Sequence, residues 1–318
     1  MNILKEIPVH FILSTGRTGS TLLSTMLNAH PGILSISEQL FTLNLIEGYV
    51  AETNWDEKTI DNFLRDFELF ASDKISTQFS SIENLKKQLK AVRSLNFQTA
   101  IRAAFLSFYP TKEKKKIRAF VAKELIFHTQ LKKITKTYPD AKFILLLRDP
   151  RDNVQIKINR AKRRNDNFNV FRYIAAWKVV YTLLYNGLNK YAKEKFLVVK
   201  YEALVQHPET ELREICNFLK IDFHPDMLAY DEFNRQKMEE IKKEIRPELF
   251  NYLNRDHQGL LVKTYIDKIG IWQKEMDLKL AEQIWNECRE LCKIFEYPAD
   301  RKSTRLNSSH EALSRMPS

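Results

Sequence analysis

The ten residues Ser14–Leu23, STGRTGSTLL, constrain this chain more than any other stretch. They leave VHFIL, an aliphatic run that reads as a strand, and enter LLSTMLNAH, which reads as a helix. A strand that turns through glycines into a helix N-terminus aims several backbone N–H groups at one point, and an anion belongs at that point. Gly16 and Gly19 allow close approach, Thr18, Ser20 and Thr21 add hydroxyl donors, and Arg17 offers a planar fork to two oxygens. The lysine that ATP- and GTP-binding loops carry just before their Ser/Thr is absent. Its absence argues against phosphoryl transfer, in which that ammonium and Mg²⁺ act on the β- and γ-phosphates.

Five segments read as strands: 9–14, 33–36, 117–122, 142–147 and 196–200. KFILLL (142–147) is apolar throughout its core, as in a parallel strand covered on both faces. Helical patterns separate the five, so the fold class is α/β, a parallel central sheet flanked by helices. Residues 40–116 differ. They hold no clear strand but several amphipathic helical patterns, EKTIDNFLRDFELF and SIENLKKQLKAV among them, and read as a helical insertion after the second strand, on the acceptor side. Their phenylalanines hint at an apolar acceptor, although phenylalanine more commonly builds core. With only 7 glycines and no low-complexity linker, residues 1–299 form a single domain. Residues 300–318, containing DRKSTRLNSSH and SRMPS, resemble the translation of a sequencing-library adapter and are expected to be a non-native tail.

The net charge of +11 is spread along helix faces rather than massed in one tract, which disfavours a nucleic-acid partner. No stretch reaches the roughly 18 apolar residues of a membrane span, and the N-terminus runs straight into the first strand, so a cytoplasmic location is expected. Cys216, Cys288 and Cys292 lack neighbouring metal-ligand histidines and read as helix-face packing; no metal is expected.

The match becomes specific over ILSTGRTGSTLLSTMLNAHPGILSISE (12–38), which resembles the 5′-phosphosulfate loop of the sulfotransferase family: an Arg-x-Gly-Ser/Thr-Thr core, a following His-Pro and a later glutamate. The resemblance implies a P-loop-like fold and the donor 3′-phosphoadenosine-5′-phosphosulfate, with transfer of a sulfuryl group to an acceptor hydroxyl in the bacterial manner. It also answers the missing lysine, because a sulfuryl group carries less charge to neutralise. AKFILLLRDPRDNVQIKINRAK resembles the family's 3′-phosphate segment, closest to the tyrosylprotein branch, and implies Arg148 and Arg160 as phosphate ligands. Arg148 ends an apolar strand, where ligands of such sheets bind, while Asn153, Ile156 and Arg160 share a helical face. The family usually places a serine at the position of Ile156. Either Asn153, one turn earlier, takes over its hydrogen bond, or donor binding is weakened or lost.

Hydroxyl sulfation needs a base, cations on the sulfuryl oxygens and in-line geometry. Glu38 follows the second strand at the same sheet edge, and the resemblance makes it the base; its plainer reading is a helix N-terminal glutamate. Lys123, at the end of its strand, matches the family's sulfuryl-supporting lysine and is expected to stabilise the transferring group together with Arg17; His128 is a weaker candidate base. Softer matches implicate Tyr201 beside the nucleotide and either Lys263 or Lys268 over the 3′-phosphate. Two other readings remain open: a non-catalytic homologue binding adenosine 3′,5′-bisphosphate, and a P-loop small-molecule kinase using ATP·Mg²⁺.

Overall fold

The computed structural model describes residues 6–37, 41–70, 79, 81–108, 112–124, 130–232, 235 and 266–299. Strands β1 (Val9–Leu13), β2 (Ile33–Ser37), β3 (Ala119–Glu124), β4 (Phe143–Leu147) and β5 (Phe196–Lys200) form a sheet in the order β2-β3-β1-β4-β5. Every pairing is parallel, so all carboxyl ends share one edge. Their bounds follow the aliphatic runs except at β3, which begins and ends two residues later than its pattern suggests. Lys123 and Glu124 are drawn into the ladder opposite Ile12 and Leu13, so Lys123 lies within the strand.

Helix α1 (Ser20–Ala29) connects β1 to β2. The insertion is helical, with α2 (Phe41–Asn44), α3 (Ile46–Tyr49), α4 (Glu57–Phe70), α5 (Ile82–Lys90) and α6 (Phe97–Leu106). Beyond β3 come α7 (Leu131–Thr137), α8 (Pro150–Arg164), α9 (Val170–Tyr191), α10 (Tyr201–Gln206) and α11 (Pro208–Leu219). The segment 266–299 adds α12 (Ile271–Glu275), α13 (Leu278–Glu287) and α14 (Arg289–Ile294). Local sequence starts several of these. Ser81, Asn96 and Asn169 accept backbone N–H bonds at the starts of α5, α6 and α9, while Asp149 caps α8 ahead of Pro150.

The strand period divides two cores. Phe143, Leu145 and Leu147 face one, with Phe11 and the insertion; Ile144 and Leu146 face the other, with Ile12, α1 and α11. The insertion's phenylalanines build the first core. Phe41 packs on Phe67, Phe105 and Phe108, and Phe105 reaches Phe120 of β3. Among the described residues, Phe41, Phe63, Phe67, Phe97, Phe105 and Phe108 are buried and build core, while Phe70 and Phe79 are partly buried against it. The three cysteines are buried and free, with burial raising the Cys216 and Cys288 thiols to about 11 and about 12.

His10, in the middle of β1, is buried and accepts the Lys142 N–H on Nδ1 at 3.1 Å. Burial, reinforced by Lys142, lowers its pKa from 6.5 to about 3. Between those values the unfolded chain binds a proton that the folded chain does not, so this group makes stability rise with pH across the window. In urea titrations at a series of pH values, His10→Asn should flatten the profile between pH 3 and 6.5. The slope removed is at most about 1.4 kcal/mol per pH unit. An unchanged slope would mean that His10 titrates normally.

Candidate anion site at the carboxyl edge of the sheet

Three adjacent strands deliver the site. β1 runs into the loop Ser14–Gly19 and then α1, β4 runs into Arg148, and β5 runs into Tyr201. Gly19 caps α1 at φ 88°, no side chain caps the helix, and its first turn holds no acid. The terminal N–H groups of α1 and its dipole are therefore offered outward to a negative charge. A Cβ on Gly19 would lie 2.3 Å from Tyr201 Cδ2, so only glycine fits. Arg17 also has positive φ, 71°, a tight conformation for a residue with a side chain.

Two tyrosines of α9 pin the loop. Tyr181 Oη accepts the Thr15 N–H at 3.2 Å and donates to the Leu146 carbonyl at 2.9 Å. Tyr173 donates toward the Gly16 carbonyl at 3.2 Å and to Asn153 Oδ1. Asn153 is fully buried and sends its amide to the same Gly16 carbonyl at 3.3 Å. It braces the loop through one amide N–H and its Oδ1, a structural role beside the expected stand-in for a serine at Ile156. Thr18 needs a correction, since its hydroxyl is buried and donates to the Thr15 carbonyl at 2.9 Å rather than outward. Ser20 is buried at the first position of α1, and Thr21 is half-buried one residue later.

The charge missing from the loop sequence arrives from neighbouring elements. Lys123 is 1% exposed and places Nζ 2.9 Å from Thr21 Oγ1, beside the first turn of α1. Lys157, which sequence reasoning missed, packs its ammonium 3.1 Å from where a Cβ on Gly16 would sit. Burial, then Arg17 and Arg160, lowers the Lys157 pKa. Arg17 and Arg160 thus act on Lys157 as like charges, an arrangement that an anion among them would favour. Ile156 and Arg160 are both half-buried on α8, flanking Lys157.

Arg148 is buried and stacks its guanidinium 4.0 Å over the Tyr201 ring. Its Nη2 donates to the Lys268 carbonyl at 2.5 Å, while Nε has no partner among the described residues. Lys268 therefore meets Arg148 through its backbone, and its exposed ammonium pairs with Asp267 at 2.7 Å. That departs from the expectation of an ammonium turned to the anion. Burial raises the Tyr201 pKa to about 12, Arg148 opposing. Behind these groups Glu202 accepts the Asp149 N–H at 2.9 Å, and Asp152 accepts the Gly270 and Trp272 N–H groups. Burial and Asp149 push the Asp152 carboxyl up to about 7, with Arg148 opposing. Glu38, His128, Lys263 and the tail 300–318 lie outside the described residues.

An orphaned buried Nε, an uncapped helix start and converging cations suit a phosphate-bearing ligand. The Tyr173–Trp177–Tyr181 spacing reveals a buried helix face from sequence, but not that its hydroxyls reach the loop.

Comparison with known proteins agrees with this geometry. A sequence model of the Sulfotransferase family matches residues 8–225. Protein-tyrosine sulfotransferase of Drosophila melanogaster is 24% identical over 72% of this chain and 41% of its own length. Protein-tyrosine sulfotransferase 1 of Danio rerio is 26% identical over 72% of this chain and 57% of its own. The chain thus spans about half the length of these curated relatives. The sulfotransferase domain of the Synechococcus PCC 7002 olefin synthase superposes with TM-score 0.55 at 19% identity, covering 92% of this chain and 95% of that one, and so shares the fold.

Gly19→Ala should lower the unfolding free energy by more than the ~1–2 kcal/mol of the left-handed conformation alone. In a Tyr201→Ala background the cost should fall back toward that value, read as coupling in a double-mutant cycle by chemical denaturation. Additive effects would mean that the ring does not confine Gly19.

Proposed function

The chain belongs to the sulfotransferase family, and from that premise we propose that it moves a sulfuryl group from 3′-phosphoadenosine-5′-phosphosulfate to an acceptor hydroxyl. The observation that carries this reading is the pairing of an uncapped, cation-flanked helix start with a buried guanidinium whose Nε has no partner among the described residues, on neighbouring strands. When bound, the donor supplies an activated sulfuryl group attached to its 5′-phosphate. The backbone amides of 16–21, Arg17 and Lys157 would hold the 5′ end, and Arg148 and Arg160 the 3′-phosphate. Lys123 sits beside Thr21 and would steady the oxygens in flight.

In this reading Glu38 takes the acceptor proton. It follows directly on Ser37, the residue of β2 that pairs with Lys123, which supports its assignment to the same edge. The curated relatives act, by name, on protein tyrosine, so a tyrosyl phenol is the first acceptor to test. A second reading, binding without turnover, is favoured by Ile156, because Asn153 is already committed to the loop.

Adenosine 3′,5′-bisphosphate should raise the melting temperature of the wild type, whereas ADP with Mg²⁺ should not, and Arg148→Ala should abolish the shift. A ligand at about 100 times its Kd stabilises by roughly 2.7 kcal/mol, well within detection. A shift with ADP·Mg²⁺ alone would overturn the reading. Ile156→Ser should tighten the bisphosphate by about tenfold or more, the worth of a hydrogen bond to a charged group. With labelled donor and tyrosyl peptides, Glu38→Gln should lose turnover and keep the bisphosphate shift; bisphosphate binding by a wild type that never turns over selects the second reading.

A further inference from the structure

The amino ends of the strands hold a second concentration of positive charge, at the opposite end of the sheet from the loop. An open cavity of about 930 Å³ lies there. Arg118 immediately precedes β3, Lys142 precedes β4 and Lys195 precedes β5; Lys220 caps the C-terminus of α11 and Arg102 projects from α6. All five line the cavity. None forms an ion pair among the described residues.

Main-chain carbonyls hold four of these cations instead. Arg102 donates to Ile7 at 2.8 Å, Arg118 to Lys115 at 2.8 Å, Lys195 to Pro139 at 2.6 Å, and Lys142 to Phe218. A carbonyl orients a cation without cancelling its charge. Lys116, also lining the cavity, is paired with Glu113, and the lining carboxylates are Glu6, Asp140 and Asp222, fewer than the cations they face. The Lys142 pKa is lowered by burial first and by Lys220 second.

His10 supplies an independent observation. It lines the same cavity, is 2% exposed, and its Nδ1 accepts the Lys142 N–H, which leaves the proton on Nε2. That Nε2–H is buried and finds no acceptor among the described residues. A buried donor without an acceptor is costly, and a ring of unpaired cations beside it costs more. An oxyanion of more than one charge would relieve the cations, with the His10 ring at the wall of the same cavity. The volume falls in the range of small-ligand sites, roughly 300–1,000 Å³.

We propose that the amino-end cavity is a second anion site, taking a small organic molecule that bears two or more phosphate or sulfate charges. Open α/β sheets bind their reacting ligands at the carboxyl edge, so this site stands apart from the donor cradle and does not depend on the reading given to it. Its ligand would act as an effector or a stabiliser rather than as a reactant.

The test is calorimetric titration with inorganic pyrophosphate of the wild type, Arg17→Ala and the exposed double reversal Lys195→Glu/Lys220→Glu, with Lys87→Glu as a surface control. Matching urea midpoints would verify that the variants are folded. A binding event of unit stoichiometry that survives Arg17→Ala and Lys87→Glu, and weakens at least tenfold in the double reversal, supports the site. Absence of binding, loss with Arg17→Ala, or equal affinity in the double reversal overturns it.

Discussion

The passage of the chain through Gly19 sets the rest of the carboxyl edge. At φ 88° the backbone turns α1 so that its first N–H groups face outward, and the Tyr201 ring fills the space a side chain would need. The same ring carries Arg148 at 4.0 Å. One aromatic plane therefore fixes the distance between the loop after β1 and the guanidinium after β4, although it belongs to neither element. Arg148 is fastened in turn by the Lys268 carbonyl, and Asp152 by the amides of Gly270 and Trp272. Arg151 continues this clamp, lying 4.0 Å over Trp272 and donating to the Pro298 and Ala299 carbonyls. The segment 266–299 is thus structural support for the candidate anion site, whose other residues lie far away in sequence.

Holding several cations near one another in a half-buried place is unfavourable unless the fold compels it. Here the compulsion is distributed. Lys123 is held in the β3 ladder, Lys157 and Arg160 are projected by α8, and Arg17 is set by the loop that Tyr173 and Tyr181 pin from α9. The printed contacts that set β3 and the loop are backbone pairings and neutral hydroxyls, which position these side chains without themselves cancelling charge. Asp149, Asp152 and Glu202 lie behind the Arg148 strand end, bonded to backbone amides and to Arg151. They are placed as scaffold, and an incoming anion meets the cations.

Much of this fold is legible in the sequence, for identifiable reasons. The aliphatic strands lie at the centre of the sheet and need apolar residues on both faces, so FILLL announces itself. The insertion reads as helical because Ile60, Phe63, Leu64 and Phe67 repeat at helical spacing and are all buried. The loop was legible because glycine spacing and a strand-to-helix change are local features. Contacts between distant segments were not. Lys157 looks like an ordinary helix lysine, and nothing local says that it packs on Gly16, 141 positions away in the chain's numbering of 157 and 16. Asn153 looked like a free donor; its burial against Tyr173 is a tertiary fact. The amino-end charge escaped notice because its members come singly, one before each of three strands, and only the parallel sheet gathers them.

Ile156 and Lys157 together bear on how this site departs from its family's pattern. A serine at 156 would give a neutral hydrogen bond, whereas isoleucine gives none and leaves the surrounding cations to hold the anion by charge. Lys157, the next residue, contributes an ammonium instead, but toward Gly16 and the loop rather than along the face shared by Ile156 and Arg160. A charge and a hydrogen bond are not equivalent replacements. The ammonium attracts any anion in the cradle at moderate range, while a directed hydroxyl discriminates one phosphate position from another. In the proposed reading, exchanging direction for charge should therefore cost selectivity for the 3′-phosphate more than attraction to the 5′ end, and Arg148, whose Nε has no partner among the described residues, would be the group on which that selectivity rests.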